Sequence, residues 1–128
     1  MTATALAHRP TGIHLLADFH GVEAALLLSP AELDALLRGA ALAAGARILH
    51  SHFHTFGENL GVTGVLLLAE SHISVHTWPE FGFAAADIFM CGEAQPQRAL
   101  EVIEHALKPQ SRVVQTIARG VRQVEASA

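Results

Sequence analysis

The sequence predicts an α+β fold, a two-layer sandwich in which two helices cover one face of a largely antiparallel sheet. Three observations lead there. Six short segments carry strand-type patterns, several alternating apolar and polar at every second residue. Two longer segments carry apolar residues at helical spacing, each behind a Ser-Pro or Gln-Pro start. The order is strand, helix, four strands, helix, strand, which suits helices packed together on one side of a sheet.

Met1 to Thr11 is expected to be a loose end. From Gly12 to His20, Ile13, Leu15, Ala17 and Phe19 share one parity and His14, Asp18 and His20 the other, the mark of a half-buried strand. Ser29 can cap a helix beginning at Pro30, with Glu32 completing a capping box. Leu33, Leu36, Leu37, Ala40, Ala41 and Ala44 then fall on one face, and Gly45 suits the left-handed residue that ends the helix. Arg47 to Phe56 reads as a strand with Ile48, His50, His52 and His54 on one side. Gly57 to Gly61 is a loop. Val62 to Ala69 is nearly all apolar, so burial on both faces is expected. Ile73 to Trp78 alternates again, Pro79 to Gly82 turns, and Phe83 to Cys91 forms another strand. Pro96 to Lys108 is the second helix, stopped by Pro109. Val113 to Arg119 is the last strand, and the tail beyond Gly120 carries no pattern.

The 128 residues are one domain by length. Charged residues make up 16% and apolar ones 51%. That is low in charge for a soluble monomer, where about a quarter is usual, and it points to a homodimer that covers the second sheet face. The net charge of −4 and the lack of a basic run exclude a nucleic-acid partner and an anionic membrane surface. No apolar run reaches the ~18 residues of a membrane span. The start of the chain lacks the features of a signal peptide. The single cysteine, Cys91, cannot form an internal disulfide. A cytoplasmic protein is the expectation.

The polar cluster from Glu70 to Glu80, set between apolar strands, is where chemistry is expected. Ser71 has no Gly-x-Ser-x-Gly elbow, so an esterase serine is disfavoured. His72, Ser74, His76 and Trp78 share one strand face, and Ser71 shares the other. For Ser71 and His76 to act together, the backbone at Glu70–Ser71 must leave regular geometry, and strain is at home at a reactive serine. Cys91 is either a buried thiol or a reactive one. His50, His52 and His54 would stand on one sheet face, but their spread of ~14 Å and the lack of a carboxylate or thiol in that segment favour a polar lining over a metal site. No metal is expected.

Glu70-Ser71-His72, then His76-Thr77-Trp78-Pro79-Glu80, Ala84-Ala85-Ala86-Asp87 and Cys91-Gly92 together resemble the bacterial S-adenosylmethionine decarboxylase proenzymes. The resemblance runs from about Gly12 to Gly120. It implies a two-layer sandwich, a dimer of processed protomers, and self-cleavage between Glu70 and Ser71 into a β chain (1–70) and an α chain (71–128). The α chain would begin with a pyruvoyl group made from Ser71, which forms a Schiff base with the substrate and accepts electrons on loss of CO₂. No external cofactor is then needed. By position, His76 matches the histidine that assists processing and Cys91 the proton donor of decarboxylation. Thr63 stands where many relatives carry a processing serine. Phe56 and Trp78 match the rings around the adenine, and Glu80 the carboxylate on the ribose. For Phe56 and Trp78 the plain alternative is core packing. The Gly57–Gly61 loop departs from the family pattern, which keeps the small-molecule substrate open between S-adenosylmethionine, for spermidine synthesis, and ornithine or arginine. Two further readings remain: an unprocessed binding or regulatory protein, and a metal carrier built on His50, His52 and His54.

Overall fold

The computed structural model describes residues 10–122. The expected loose end and C-terminal tail fall mostly outside that range. Its elements are β1 (Gly12–His20), α1 (Pro30–Ala43), β2 (Ile48–Thr55), β3 (Val62–Leu68), β4 (Ser71–Trp78), β5 (Phe83–Cys91), α2 (Pro96–Leu107) and β6 (Ser111–Arg119). Two short 3₁₀ turns, Ala24–Leu27 and Pro79–Phe81, link them. The six strands form one sheet in the order β2-β3-β4-β5-β1-β6. Every neighbouring pair is antiparallel.

The helices begin and end for local reasons. The Ser29 hydroxyl accepts from the Glu32 N–H at 3.1 Å, so the cap that the sequence predicts is made. Pro30 and Pro96 occupy first helical positions, where a missing N–H costs nothing. Gly45 takes φ +79° beyond the first helix. The second helix ends on Lys108 in the left-handed region, just before Pro109.

Alternation along the strands builds the core. Leu15, Ala17 and Phe19 of β1, Leu66 and Leu68 of β3, Ile73 and Val75 of β4, and Ile88 and Met90 of β5 lie under the helices. They meet Leu37, Ala40 and Ala41 of α1 and Leu100 and Ile103 of α2. Each fully buried Leu or Ile contributes roughly 1.5–3 kcal/mol. Thr77, buried among them, donates its hydroxyl to the Leu27 carbonyl at 2.9 Å and accepts from the Val62 N–H at 2.9 Å. That pair of bonds ties the start of β3 and the end of β4 to the 3₁₀ turn.

Two expectations are corrected. β3 is not buried on both faces within one chain: Leu67 is 45% exposed and Val65 half-buried, while Leu66 and Leu68 are covered. Its apolar run reaches onto a second sheet face that the described residues leave uncovered. Ile48 does not share a face with the histidines. A register shift falls between Ile48, opposite Leu68, and His50, opposite Leu67. A bulge adds one residue and reverses parity, so Ile48 packs on the core while His50, His52 and His54 stand exposed on the open face. Gly64 has a packing reason, since a Cβ there would come within 2.1 Å of the Phe53 ring.

Candidate active site

The residues singled out by the sequence fall into two groups, at opposite ends of the β3–β4 hairpin. The first group surrounds the tight turn Ala69–Glu70. Glu70 has φ +60°, a left-handed backbone that a residue with a Cβ seldom adopts. Ser71 follows at once and pairs in register with Leu68. The strand therefore begins two residues earlier than its alternation suggests. Across the sheet, the Cys91 backbone N–H donates to Ser71 Oγ at 3.2 Å. Ser71 and Cys91 share a cavity of about 330 Å³ with Arg47, Ala69, Glu93 and Ala94. Gly12 walls Cys91 from β1, where a Cβ would lie 2.9 Å from its Sγ. Burial, then the nearby Glu70 charge, pushes the Cys91 thiol above its ordinary pKa. The thiol thus stays protonated at neutral pH.

The second group lies at the other end of the hairpin. Thr63 and His76 face each other across β3 and β4, and Thr63 Oγ1 lies 3.0 Å from His76 Nδ1. They line a cavity of about 310 Å³ with Phe56, Leu60, Gly61, Thr77, Trp78 and Glu80. Phe56 and Trp78 are 61% and 41% exposed, so neither is a core residue. Their rings and the Glu80 side chain are available to a ligand. The His76 and Trp78 rings are 6.3 Å apart and tilted.

The parity mismatch between Ser71 and His76 is real. Glu70 leaves regular geometry as anticipated, but Ser71 stays in register, so the two side chains keep opposite faces. Five residues of strand also separate them by ~17 Å. Within one chain, Ser71 meets Cys91 and His76 meets Thr63, and the two pairs do not meet.

Sequence reasoning missed a third cluster, at the centre of the open face. His14 and Phe89 are paired across β1 and β5, and Phe89 and His72 across β5 and β4. His14 Nε2 lies 3.9 Å from Asp87 Oδ1, and Ser74 Oγ donates to Asp87 Oδ2 at 3.3 Å. Arg119 bonds His14 Nδ1 at 3.2 Å and sits 5.6 Å from the centre of the Phe89 ring. Burial and the neighbouring His14 hold the His72 pKa below its usual value, against an opposing pull from Asp87. The signal is the shared sheet face of His14, His72 and Asp87, visible only once the strand order and register are known. Among the described residues, no group of three or more His, Cys, Asp or Glu side chains is placed to hold a metal ion. Among them, too, no helix is long and apolar enough to cross a membrane.

Comparison with known proteins sets this geometry in context. A family model described as S-adenosylmethionine decarboxylase matches residues 13–120. The chain is 47% identical over 112 residues to the S-adenosylmethionine decarboxylase proenzyme of a Sulfurihydrogenibium species, covering 86% of this chain and 83% of the relative. It is 48% identical over 99 residues to the proenzyme of Persephonella marina, covering 77% and 74%. The crystal structure of the adenosylmethionine decarboxylase from Aquifex aeolicus superposes with a TM-score of 0.80 at 38% identity, over 90% of this chain and 95% of that one.

Proposed function

This chain belongs to the S-adenosylmethionine decarboxylase family, and from that premise we propose that it cuts itself between Glu70 and Ser71 and then decarboxylates S-adenosylmethionine, supplying the aminopropyl donor for spermidine. One observation carries the cleavage site: Ser71 Oγ is held by the Cys91 N–H directly behind a left-handed Glu70. That bond uses one lone pair of the hydroxyl and leaves the other free for the Glu70 carbonyl carbon. Attack closes a five-membered ring. The C–N bond then breaks, the nitrogen takes the hydroxyl proton, and an ester replaces the amide. Loss of the Ser71 Cα proton breaks the Cβ–Oγ bond, whose electron pair leaves with the Glu70 carboxylate. The dehydroalanine left behind tautomerises to an imine, and water displaces ammonia to give the pyruvoyl ketone. Left-handed strain at Glu70, of order 1 kcal/mol, is released on cleavage.

The surroundings fit such a group: the cavity beside Ser71 is open to a small molecule, and a protonated thiol borders it. The pyruvoyl ketone supplies the electron sink for loss of CO₂. Cys91 is the proposed donor of the proton that replaces CO₂. A thiol kept protonated suits that task.

His76 is the proposed acid–base group of processing, with Thr63 fixing its ring through the 3.0 Å contact. In that role His76 would serve the Ser71 of another copy, since ~17 Å separates the two within one chain. A homodimer that packs the open face of one protomer against its partner would bring the Thr63–His76 end of one to the sheet end of the other, where His76 would reach Ser71 around the Ala69–Glu70 turn and not across the sheet face. The exposed Leu67 and Ile117, paired with His72 and His14 on that face, support this packing. The cavity lined by Phe56, Trp78 and Glu80 favours a flat ring and a diol over a basic amino acid, because it offers two aromatic faces and one carboxylate. Ornithine or arginine would call for more acidic groups there.

Intact-mass analysis tests the cleavage. The expected products are chains 1–70 and 71–128, the second with a blocked start, and Ser71→Ala should leave one intact species. A Ser71→Ala chain that still cleaves overturns the mechanism, and an intact wild-type chain favours a non-catalytic binding role. Release of CO₂ from S-adenosylmethionine, but not from ornithine or arginine, settles the substrate.

A further inference from the structure

We propose that Arg47 receives the α-carboxylate of the substrate and holds it beside Ser71 and Cys91. The inference rests on the decarboxylase reading above and applies to any α-amino acid that the cavity admits.

The loop that carries Arg47 is fixed on both sides. The Arg47 backbone carbonyl accepts from the Ala69 N–H at 2.9 Å, just before Glu70 and Ser71. On the other side, the Ala44 carbonyl accepts from the Gln95 N–H at 2.8 Å, just beyond Cys91. The connection between α1 and β2 is thereby clamped between the segments that present the serine and the thiol. The bulge between Ile48 and His50 follows directly. Bulges of this kind re-aim side chains at sheet rims and next to active sites.

The charges around the cavity single out Arg47. Of the residues lining it, Arg47 alone is cationic and Glu93 alone anionic. The two form no ion pair. Among the described residues, ion pairs join His14 to Asp87, Arg38 to Asp34 and Arg112 to Glu104. The arginine side chains that donate hydrogen bonds there are those of Arg38, Arg98, Arg112 and Arg119. The Arg47 guanidinium thus stands on the cavity without a described side-chain partner. Its planar fork of donors matches a carboxylate in bidentate fashion.

A carboxylate has to arrive here. An α-amino acid engaged through its amine at position 71 carries its carboxylate on the carbon next to that nitrogen, so the anion falls in the same cavity. Glu93 repels it and Arg47 attracts it. The bond that breaks is the one set across the plane of the electron sink. Fixing the carboxylate therefore decides that this bond, and not another at the α-carbon, is presented for cleavage.

The reaction product supplies the control. Decarboxylated S-adenosylmethionine keeps every group of the substrate except the carboxylate. A residue that binds that anion tells the two ligands apart, whereas one that only supports the fold does not. Arg47 is exposed, so Arg47→Gln leaves the core intact. With rates referred to cleaved chains, Arg47→Gln should raise KM for S-adenosylmethionine about 10–100-fold, the scale of a charged hydrogen bond. The inhibition constant of the decarboxylated amine should stay the same, and Arg47→Lys should recover part of the loss. Calorimetry on the Ser71→Ala chain, with and without Arg47→Gln, gives a readout that needs no pyruvoyl group: binding of S-adenosylmethionine should weaken and binding of the amine should not. Equal changes for the two ligands, or none for either, overturn the role of Arg47. No change is also what a solvated surface arginine would give, or one occupied by the carboxylate that cleavage frees on Glu70. If intact mass shows wild type uncleaved, the processing proposal fails while the calorimetric pair still decides Arg47. S-adenosylmethionine that binds neither form overturns both.

Discussion

The two ends of the β3–β4 hairpin share a hydrogen-bonded ladder and divide the chemistry between them. The turn end holds the proposed scissile bond, a strained Glu70, Ser71 and the thiol of Cys91. The other end holds Thr63, His76 and the aromatic pair Phe56 and Trp78. Each end has its own cavity. One has the proposed nucleophile and proton donor but no histidine on its cavity, and the other has a histidine and the proposed ligand slot. A strand cannot bend the ~17 Å between them away, since its rise per residue is fixed. The contrast teaches that residues close in sequence can be kept apart by the strand they share, so a site built from both ends would need a second copy.

The largest effect should come from separating the two ends on different copies. His76→Ala alone should slow self-cleavage by about 10²–10⁴-fold, the usual scale for removing a general acid–base group. Co-production with Ser71→Ala should restore cleavage of the His76→Ala chain, because the mixed dimer pairs its Ser71 with an intact His76. Band intensities on a denaturing gel over time measure both. Restoration absent in a verified mixed dimer would mean that the two ends serve different purposes.

Adjacent residues on β3 sharpen the same contrast. Leu66 is fully buried under the helices, and Leu67 points to the open face. Leu66→Ala should cost about 2–5 kcal/mol in denaturant unfolding. Leu67→Asp should leave the core intact, convert the proposed dimer to monomer in sedimentation, and stop cleavage with it. A wild-type chain that sediments as a monomer and still cleaves would break the two-copy reading. At the ligand slot the effect should be smaller. Phe56→Ala should raise KM for S-adenosylmethionine by roughly 2–10-fold, the scale of one lost ring contact, with processing unchanged.

Much of this fold is legible in the amino-acid sequence alone. β1 and β5 run over the residues their alternation marks, and α1 starts at the Ser29 cap and Pro30. What the pattern does not reveal involves single residues that alter parity and a sheet face that the described residues leave uncovered. The bulge at Leu49 turns Ile48 to the core, and no local composition announces it. Alternation alone starts β4 at Ile73 rather than Ser71, because the turn before it uses a left-handed Glu where Gly or Asn would have signalled it. β3 reads as buried on both faces because apolar residues also occupy its second face, which the described residues leave uncovered. The division of the candidate site is available in principle: opposite parity and the four residues between them already forbid a contact between Ser71 and His76 on a regular strand.

The centre of the open face gives the smallest and most diagnostic effect, since it lies between the two ends. His72 is held below its ordinary pKa by burial and by His14. Unfolded, it binds a proton near pH 6.5, whereas folded it resists until lower pH. Between those points the unfolded chain carries the extra proton, so stability falls as pH drops below about 6.5. His72→Gln removes that proton uptake. Its unfolding midpoint should therefore decline less than that of wild type between neutral and mildly acid pH, with the two curves converging in slope above pH 7. An equal decline would show that His72 is solvated as freely in the folded chain as in the unfolded one. In that case the burial that the dimer is proposed to deepen on this face would not be there to deepen.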